Sequence, residues 1–545
     1  MRVALRPTRR AQVAVARSIP APVGGWDTQN ALASMPKDHA VILDNWIPRG
    51  SSIEVRRGFI EQCTGTADPV ETLICYQGAA DKIFAAAGAH IIDVTTAGAL
   101  PSSSYASAAT SRWNYTNFAN DAGRFAILAN GAQDPIKYDG STFSANAITG
   151  TSGAITLVPA DLKFVMSHKF RLHFAEKSRL RVWFLDINAI AGAAKLLDLG
   201  PVFSEGGNFA GMGRLTLDGG QGPDDYAVYL TTRGQVAVFQ GLDPSDANSW
   251  ELVGVWQVPK PIGDRAVIQY GADLLILTEA GVFALSSILR VPPEEQGDKA
   301  MSYLIGPTFA ASASSYGANF GWQPVLYSGR GGLTIVNVPT AELGVSVQYV
   351  RANQGGGWCR FTGIDAFCWG IANGMIYFGS TAGVYQWDIG ASDNGEFIVP
   401  DVLPAFQDFG NRTITKVFTM VRALLRCPAI IAPALQVLTD YDQSTLPTAV
   451  QTVVAPGDIS PDDSSLIRDD WTGAAGDGYV GSPRMRFAVQ STDDEDRVAV
   501  TSDLTSLALV GPGGTDHILT RPDLPLDVEI QCVGFDLMFK VGGQL

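Results

Sequence analysis

Residues 375–387 read Met375-Ile376-Tyr377-Phe378-Gly379-Ser380-Thr381-Ala382-Gly383-Val384-Tyr385-Gln386-Trp387. An apolar run of strand length meets a turn of small residues, and a second run follows with Val and aromatic side chains. Such side chains suit a pleated, half-buried surface, and Gly and Ser suit the turn between two strands. The pattern also stands at 82–93, where Lys82-Ile83-Phe84-Ala85 leads through Gly88 to Ile91-Ile92. It returns at 124–140, 226–239 and 274–283, and in weaker form at 164–185 and 333–350. Starts near 83, 124, 170, 226, 273, 333 and 375 give seven units. Their spacing is that of a four-stranded blade with its loops. The expected fold is all-β: a β-propeller of about seven blades, give or take one, with additional β-rich regions. A propeller is a scaffold, so function has to come from what it carries.

Composition agrees with many short strands. The 545 residues include 58 Gly and 30 Pro, with 46% hydrophobic and 17% charged residues, enough for a large core and many turns. No apolar run reaches the length of a membrane span. The first residues are Arg-rich but lack the apolar stretch of a secretory signal, so synthesis in a cytoplasm is expected. Net charge is −15, which argues against broad nonspecific binding of nucleic acid, since phosphate contacts need clustered Lys and Arg. An acidic wall would instead let DNA pass without sticking. The six cysteines form no CxxC pair and stand near no His at ligand spacing, so buried core thiols are expected, Cys75 and Cys532 among them.

Four regions are expected. Residues 1–20 form a basic arm with Arg2, Arg6, Arg9 and Arg10, either a solvated tail or a segment ordered against a partner. Residues 21–64 form an N-terminal docking segment, in which Trp26 and Trp46 are expected to pack against the first blade and Glu54 to pair with Arg56 or Arg57. The array occupies 65–392. Residues 393–545 form a β-rich C-terminal region, with strands expected at 415–425, 434–438, 485–490, 498–501, 504–510 and 528–539. The last of these is expected to close the propeller onto its beginning.

Three stretches carry a family resemblance. The first is Gly24-Gly25-Trp26-Asp27, then Leu43-Asp44-Asn45-Trp46-Ile47-Pro48-Arg49, then Arg56-Arg57-Gly58-Phe59. The second is Trp358-Cys359-Arg360-Phe361-Thr362-Gly363 with Cys368-Trp369-Gly370 and Ile376-Tyr377-Phe378-Gly379. The third is Val533-Gly534-Phe535-Asp536-Leu537-Met538-Phe539-Lys540-Val541-Gly542-Gly543. Together they resemble the nozzle proteins of short phage tails, the tail tubular protein B-like and packaged-DNA-stabilisation class. The resemblance implies a structural virion protein at the distal end of a short tail, six copies around an axial channel, and docking on tail adaptor proteins. It further implies attachment of tail fibres or spikes, retention of packaged DNA and its passage at ejection. Region 400–520 carries no matching pattern.

Little points to chemistry. There is no HExxH, no Gly-x-Ser-x-Gly elbow and no P-loop. No catalytic residue, cofactor or metal is therefore expected. His168 and His173 are expected to lie in one strand, five apart and facing opposite sides. The acidic run Asp493-Asp494-Glu495-Asp496 reads as a solvated loop or a channel-facing cluster, and lacks the spacing of a calcium loop. Two rival functions stay open: a propeller enzyme degrading host-surface polysaccharide, which needs convergent carboxylates, and a non-catalytic receptor-binding tail protein.

Overall fold

Seven antiparallel groups of three or four strands follow one another between Phe59 and Trp387. The computed structural model describes residues 14–218, 223–246, 248–410, 414–426, 434–439, 441, 484–489 and 530–544. These divide into two units: residues 58–353 with 361–389, and the described parts of 1–57, 354–360 and 390–545.

The first unit is a seven-bladed propeller. Its first sheet is Val70–Tyr76, Lys82–Ala87, His90–Asp93 and Ser103–Tyr105; its second is Asn114–Asn120, Gly123–Ala129, Ile136–Tyr138 and Phe143–Ala145. The third is Leu162–His168, Arg171–Glu176, Arg181–Phe184 and Lys195–Asp198; the fourth is Phe209–Asp218, Pro223–Thr231, Gln235–Gly241 and Trp250–Gln257. A three-stranded sheet follows at Val267–Tyr270, Asp273–Thr278, Gly281–Ala284, and the sixth blade has the antiparallel strands Gln323–Tyr327, Leu333–Pro339 and Ser346–Ala352. The seventh is Cys368–Ala372, Met375–Gly379 and Gly383–Trp387. The seven repeat starts read from the sequence are the second strands of these sheets.

The leading strands adjoin one another around the ring, and Cys368–Ala372 of the last packs against Val70–Tyr76 of the first. The Asn117 amide donates to the Cys75 carbonyl at 2.9 Å and joins the first two blades. Between blades the strands present apolar faces that interdigitate. Ile74 and Phe84 meet Leu128 and Tyr138, and Phe164 and Val182 meet Tyr229 and Phe239. A propeller buries each sheet on both faces, which is why the strands read as near-continuous apolar runs rather than alternating ones.

Closure differs from expectation. Phe59–Thr64 runs antiparallel to Gly383–Trp387, with Phe59 opposite Trp387 and Thr64 opposite Gly383. The last blade thus takes its outer strand from residues just before the first blade. The final strand, Gln531–Gln544, does not close the ring. It pairs with Ala14–Pro20, with Ile414–Arg426 and, at Gln531 and Cys532, with Glu54 and Ile53. Both its edges are taken, so it has no free ladder to offer a blade.

Two α-helices interrupt the described β array, the short Leu285–Ile288 and the longer Gly306–Tyr316. Gly306–Tyr316 starts with Pro307 in its first turn, where a missing N–H costs nothing. Phe309 sets it against Trp322 and Tyr349, each 6.1 Å between ring centres. No described helix is long and apolar enough to cross a membrane.

The second unit is also β. One sheet runs Ala14–Pro20, Gln531–Gln544, Ile53–Val55, Trp46–Pro48, with Ile414–Arg426 on the long strand. In a second group, His39–Asp44 pairs antiparallel with Asp401–Pro404, which continues in parallel to Arg484–Val489 and then Ala434–Thr439. Four of the expected C-terminal strands are therefore present; those at 498–501 and 504–510 lie outside the described residues.

Candidate functional site

Parts of the first two stretches that carry the family resemblance, Gly25 to Arg56 and Trp358 to Arg360, meet in the second unit. Gly25 holds a left-handed φ of +90°, and a Cβ there would sit 2.5 Å from the Trp358 nitrogen and 2.7 Å from its carbonyl oxygen. Only glycine allows that approach. Asp27 follows and caps a turn, accepting the N–H groups of Gln29 at 2.9 Å and Asn30 at 3.0 Å, the Asn30 amide at 2.8 Å and His39 Nδ1 at 2.7 Å. Burial alone would raise its pKa; the hydrogen bonds from Asn30 and then His39 outweigh that and hold it below the ordinary value.

Asn45 is the hub. Its φ of +59° is a conformation that Asn tolerates better than other non-glycine residues. Its N–H donates to the Arg360 carbonyl at 2.7 Å and its carbonyl accepts the Arg56 N–H at 3.0 Å. Its side-chain oxygen accepts Arg56 Nε at 2.8 Å, and its amide donates to the Val399 carbonyl at 3.0 Å. On either side stand two forked ion pairs. Arg360 grips Asp44 at 2.8 and 2.6 Å, and buried Arg56 grips Asp393 at 2.8 and 2.6 Å. Bidentate guanidinium–carboxylate pairs fix orientation as well as charge. Arg56 thus pairs with Asp393 across the chain, and Glu54 is held by Arg49 at 3.0 Å. Trp26 and Trp46 are both buried. Three stretches far apart in sequence thus make one rigid joint. Its polar groups are engaged with one another.

The propeller has its own candidate, a central cavity of about 300 Å³ lined by its leading strands, with Thr72, Tyr115, Val165, Met212 and Trp369 among the lining residues. A smaller cavity of about 120 Å³ shares Asp264 and Arg265 with it and is bounded by the 317–322 loop. Arg265 Nη2 donates to the Glu71 carbonyl at 2.8 Å and to Thr72 Oγ1 at 2.7 Å. Its guanidinium lies 5.1 Å from the Phe320 ring centre, and that of Arg112 lies 4.1 Å from the same ring. The acids nearby are engaged. Glu71 takes Arg112 Nε at 2.8 Å and the Ser111 hydroxyl, Glu342 takes Arg112 at 3.1 Å and the Phe320 N–H at 2.7 Å, and Asp264 takes Lys163 at 2.7 Å. Asp264 is the one carboxylate among the residues lining the larger cavity, so among the described residues no carboxylate pair faces it. Nothing local in the sequence marks Arg265; an Asp-Arg pair before a strand reads as ordinary surface.

His168 and His173 are closer than expected. They sit on two strands of one hairpin, not one, with ring centres 6.0 Å apart and both rings buried. The turn at Lys169 and Phe170 folds the chain back between them. His173 Nδ1 lies 3.0 Å from the Tyr229 hydroxyl, and Trp250 stacks beside it. Among the described residues no group of three or more His, Cys, Asp or Glu could hold a metal ion. The remaining sequence candidates, Asp493, Asp494, Glu495 and Asp496 and the arm residues Arg2, Arg6, Arg9 and Arg10, lie outside the described residues.

No protein-family model matches the chain, and no curated protein matches it significantly. Among solved structures it is similar to BBS1N in complex with ARL6DN, at 10% identity and TM-score 0.37, over 61% of this chain and 98% of that one. It is similar to YCF48 from Cyanidioschyzon merolae, at 9% identity and TM-score 0.36, over 61% and 98%. Raptor from Chaetomium thermophilum matches at 10% identity and TM-score 0.38, over 61% and 29%. At such identities and scores the likeness says nothing of function.

Proposed function

We propose that this chain is a structural, non-catalytic subunit of the distal nozzle of a short bacteriophage tail, retaining packaged DNA and giving it an exit channel. The observation that carries this is the joint around Asn45. The residues that resemble nozzle proteins lie at both ends of the chain and in a late blade, and those at Gly25, Asp44–Asn45, Arg56 and Arg360 hold one another through hydrogen bonds and two forked ion pairs. A shared motif built of mutual contacts fits a shared scaffold. The lack of a free carboxylate pair along the central cavity favours a scaffold over a polysaccharide hydrolase. In this role copies of the chain form a ring, in all six, on the adaptor end of the tail, and fibres or spikes attach to loops between blades.

Immunogold labelling of particles from lysates, with antibody against this chain, tests it. Gold at the tip of a short tail, with six-fold density there on imaging, is expected. Gold absent from every particle, with the chain free in the lysate, would refute it and direct attention to glycan cleavage.

A further inference from the structure

Three of the four most exposed large apolar side chains among the described residues stand on neighbouring loops of the third and fourth blades: Phe170 at 70%, Leu242 at 60% and Ile187 at 56% exposed. Phe170 tips the two-residue turn between His168 and Arg171, with φ of +45° at Lys169 and +61° at Phe170. Such turns ordinarily take Asn or Gly, and a bulky residue there is strained. Strain kept at an exposed aromatic residue points to a contact made outside the chain. The other two loops are fastened to this turn. The Asn188 N–H donates to the Phe170 carbonyl at 2.8 Å. Buried Arg171 donates to the Leu185 carbonyl at 3.2 Å and to the Asp243 carboxylate at 2.7 Å. Polar groups at the tips are satisfied within the chain as well: the Asn120 amide donates to the Asn188 carbonyl at 2.7 Å, and the Leu242 N–H to the Ser249 carbonyl at 3.1 Å. Charges beside the tips are paired, Lys169 with Asp224 at 2.6 Å and Lys195 with Asp186 at 2.8 Å.

From these observations we infer that this end of the third and fourth blades docks on a lipid bilayer, with Phe170, Leu242 and Ile187 entering its interfacial region. Projecting apolar tips would need a matching cleft in a protein partner, whereas a bilayer accommodates them as they stand. Entry into a medium of low dielectric also requires that carbonyls, N–H groups and charges be satisfied internally, as they are around these tips. Asp186, Asp224 and Asp243 balance Lys169, Arg171 and Lys195, so the paired groups bring no net charge to the surface. The exposed Asp246 in the loop of Leu242, bonded to the Asn248 N–H at 3.0 Å, and the net charge of −15 both oppose anionic headgroups. The matching surface is therefore zwitterionic lipid. The inference needs only the propeller and is independent of the nozzle role.

Co-sedimentation of the full chain with sucrose-loaded phosphatidylcholine vesicles tests this, with phosphatidylglycerol vesicles for comparison. Saturable sedimentation with phosphatidylcholine, little changed by added salt and weaker with phosphatidylglycerol, is expected. Phe170→Asn suits the left-handed turn better than Phe, so the fold is kept, and partition should fall about tenfold. Leu242→Ser should act in the same direction. Val345→Ser removes a side chain of similar exposure, 57%, from the sixth blade and should leave partition unchanged. No sedimentation with phosphatidylcholine, stronger binding to phosphatidylglycerol, or equal partition of Phe170→Asn and the parent would each overturn the inference. Self-association in the absence of vesicles that Phe170→Asn abolishes would make the patch an interface between copies of the chain, and would overturn it too.

Discussion

The histidine pair between the third and fourth blades makes the chain acid-sensitive by a calculable amount. Burial is the main cause that lowers His168 to about 4, with Lys169 and Arg214 adding to it and the Gly241 backbone and Asp225 opposing. Burial again leads for His173, lowered to about 3, with the His168 and Arg171 charges adding. Both rings are neutral in the fold, and Tyr229, whose phenol is pushed far up by burial, stays neutral beside His173. In the unfolded chain a histidine titrates near pH 6.5. The unfolded state therefore binds more protons than the native state as pH falls below that value. Stability is full above it and declines as pH drops toward the two native values. At about pH 5 both native rings are still neutral, so the loss depends only on the unfolded value, about 2 kcal/mol for each ring and about 4 kcal/mol for the pair. Urea unfolding followed by tryptophan fluorescence, at about pH 8 and about pH 5, measures it. The double variant His168→Phe with His173→Asn, which keeps a polar partner for Tyr229, should lose about 4 kcal/mol less on acidification than the parent. Equal loss in both proteins would refute the assignment of acid sensitivity to this pair.

Four further outcomes follow from the joint and the core. Asp393→Ala leaves Arg56 buried without its carboxylate, and should cost about 3–5 kcal/mol in urea unfolding. Asn45→Gly keeps the left-handed backbone but loses two side-chain hydrogen bonds, so it should cost about 1–3 kcal/mol, and Asn45→Ala, which adds backbone strain, should cost more. Gly25→Ala drives a methyl group into the Trp358 backbone and should lower the melting temperature more than the same change at open Gly50. A thiol reagent should label no more than one of the six cysteines in the native chain, since five are buried and burial pushes Cys75 up to about 11 and Cys368 and Cys532 up to about 12.

The sequence by itself determined the propeller. Paired apolar runs with small turns recur because every blade must bury both faces of its sheet, and that demand is written locally, residue by residue. The seven starts, the buried Cys75 and Cys532, and four of the C-terminal strands were legible for the same reason. The partners of single side chains were not. Arg56 reaches Asp393, and Arg360 reaches Asp44, because strands distant in the chain lie side by side. His168 and His173 meet because a hairpin turn falls between them, where the spacing alone read as one strand. The outer strand of the last blade comes from Phe59–Thr64, and the cation of the cavity is a single arginine in an unremarkable loop. Periodicity records what each segment buries; which segments meet, and which charges then face one another, depends on long-range contacts that only the tertiary structure decides.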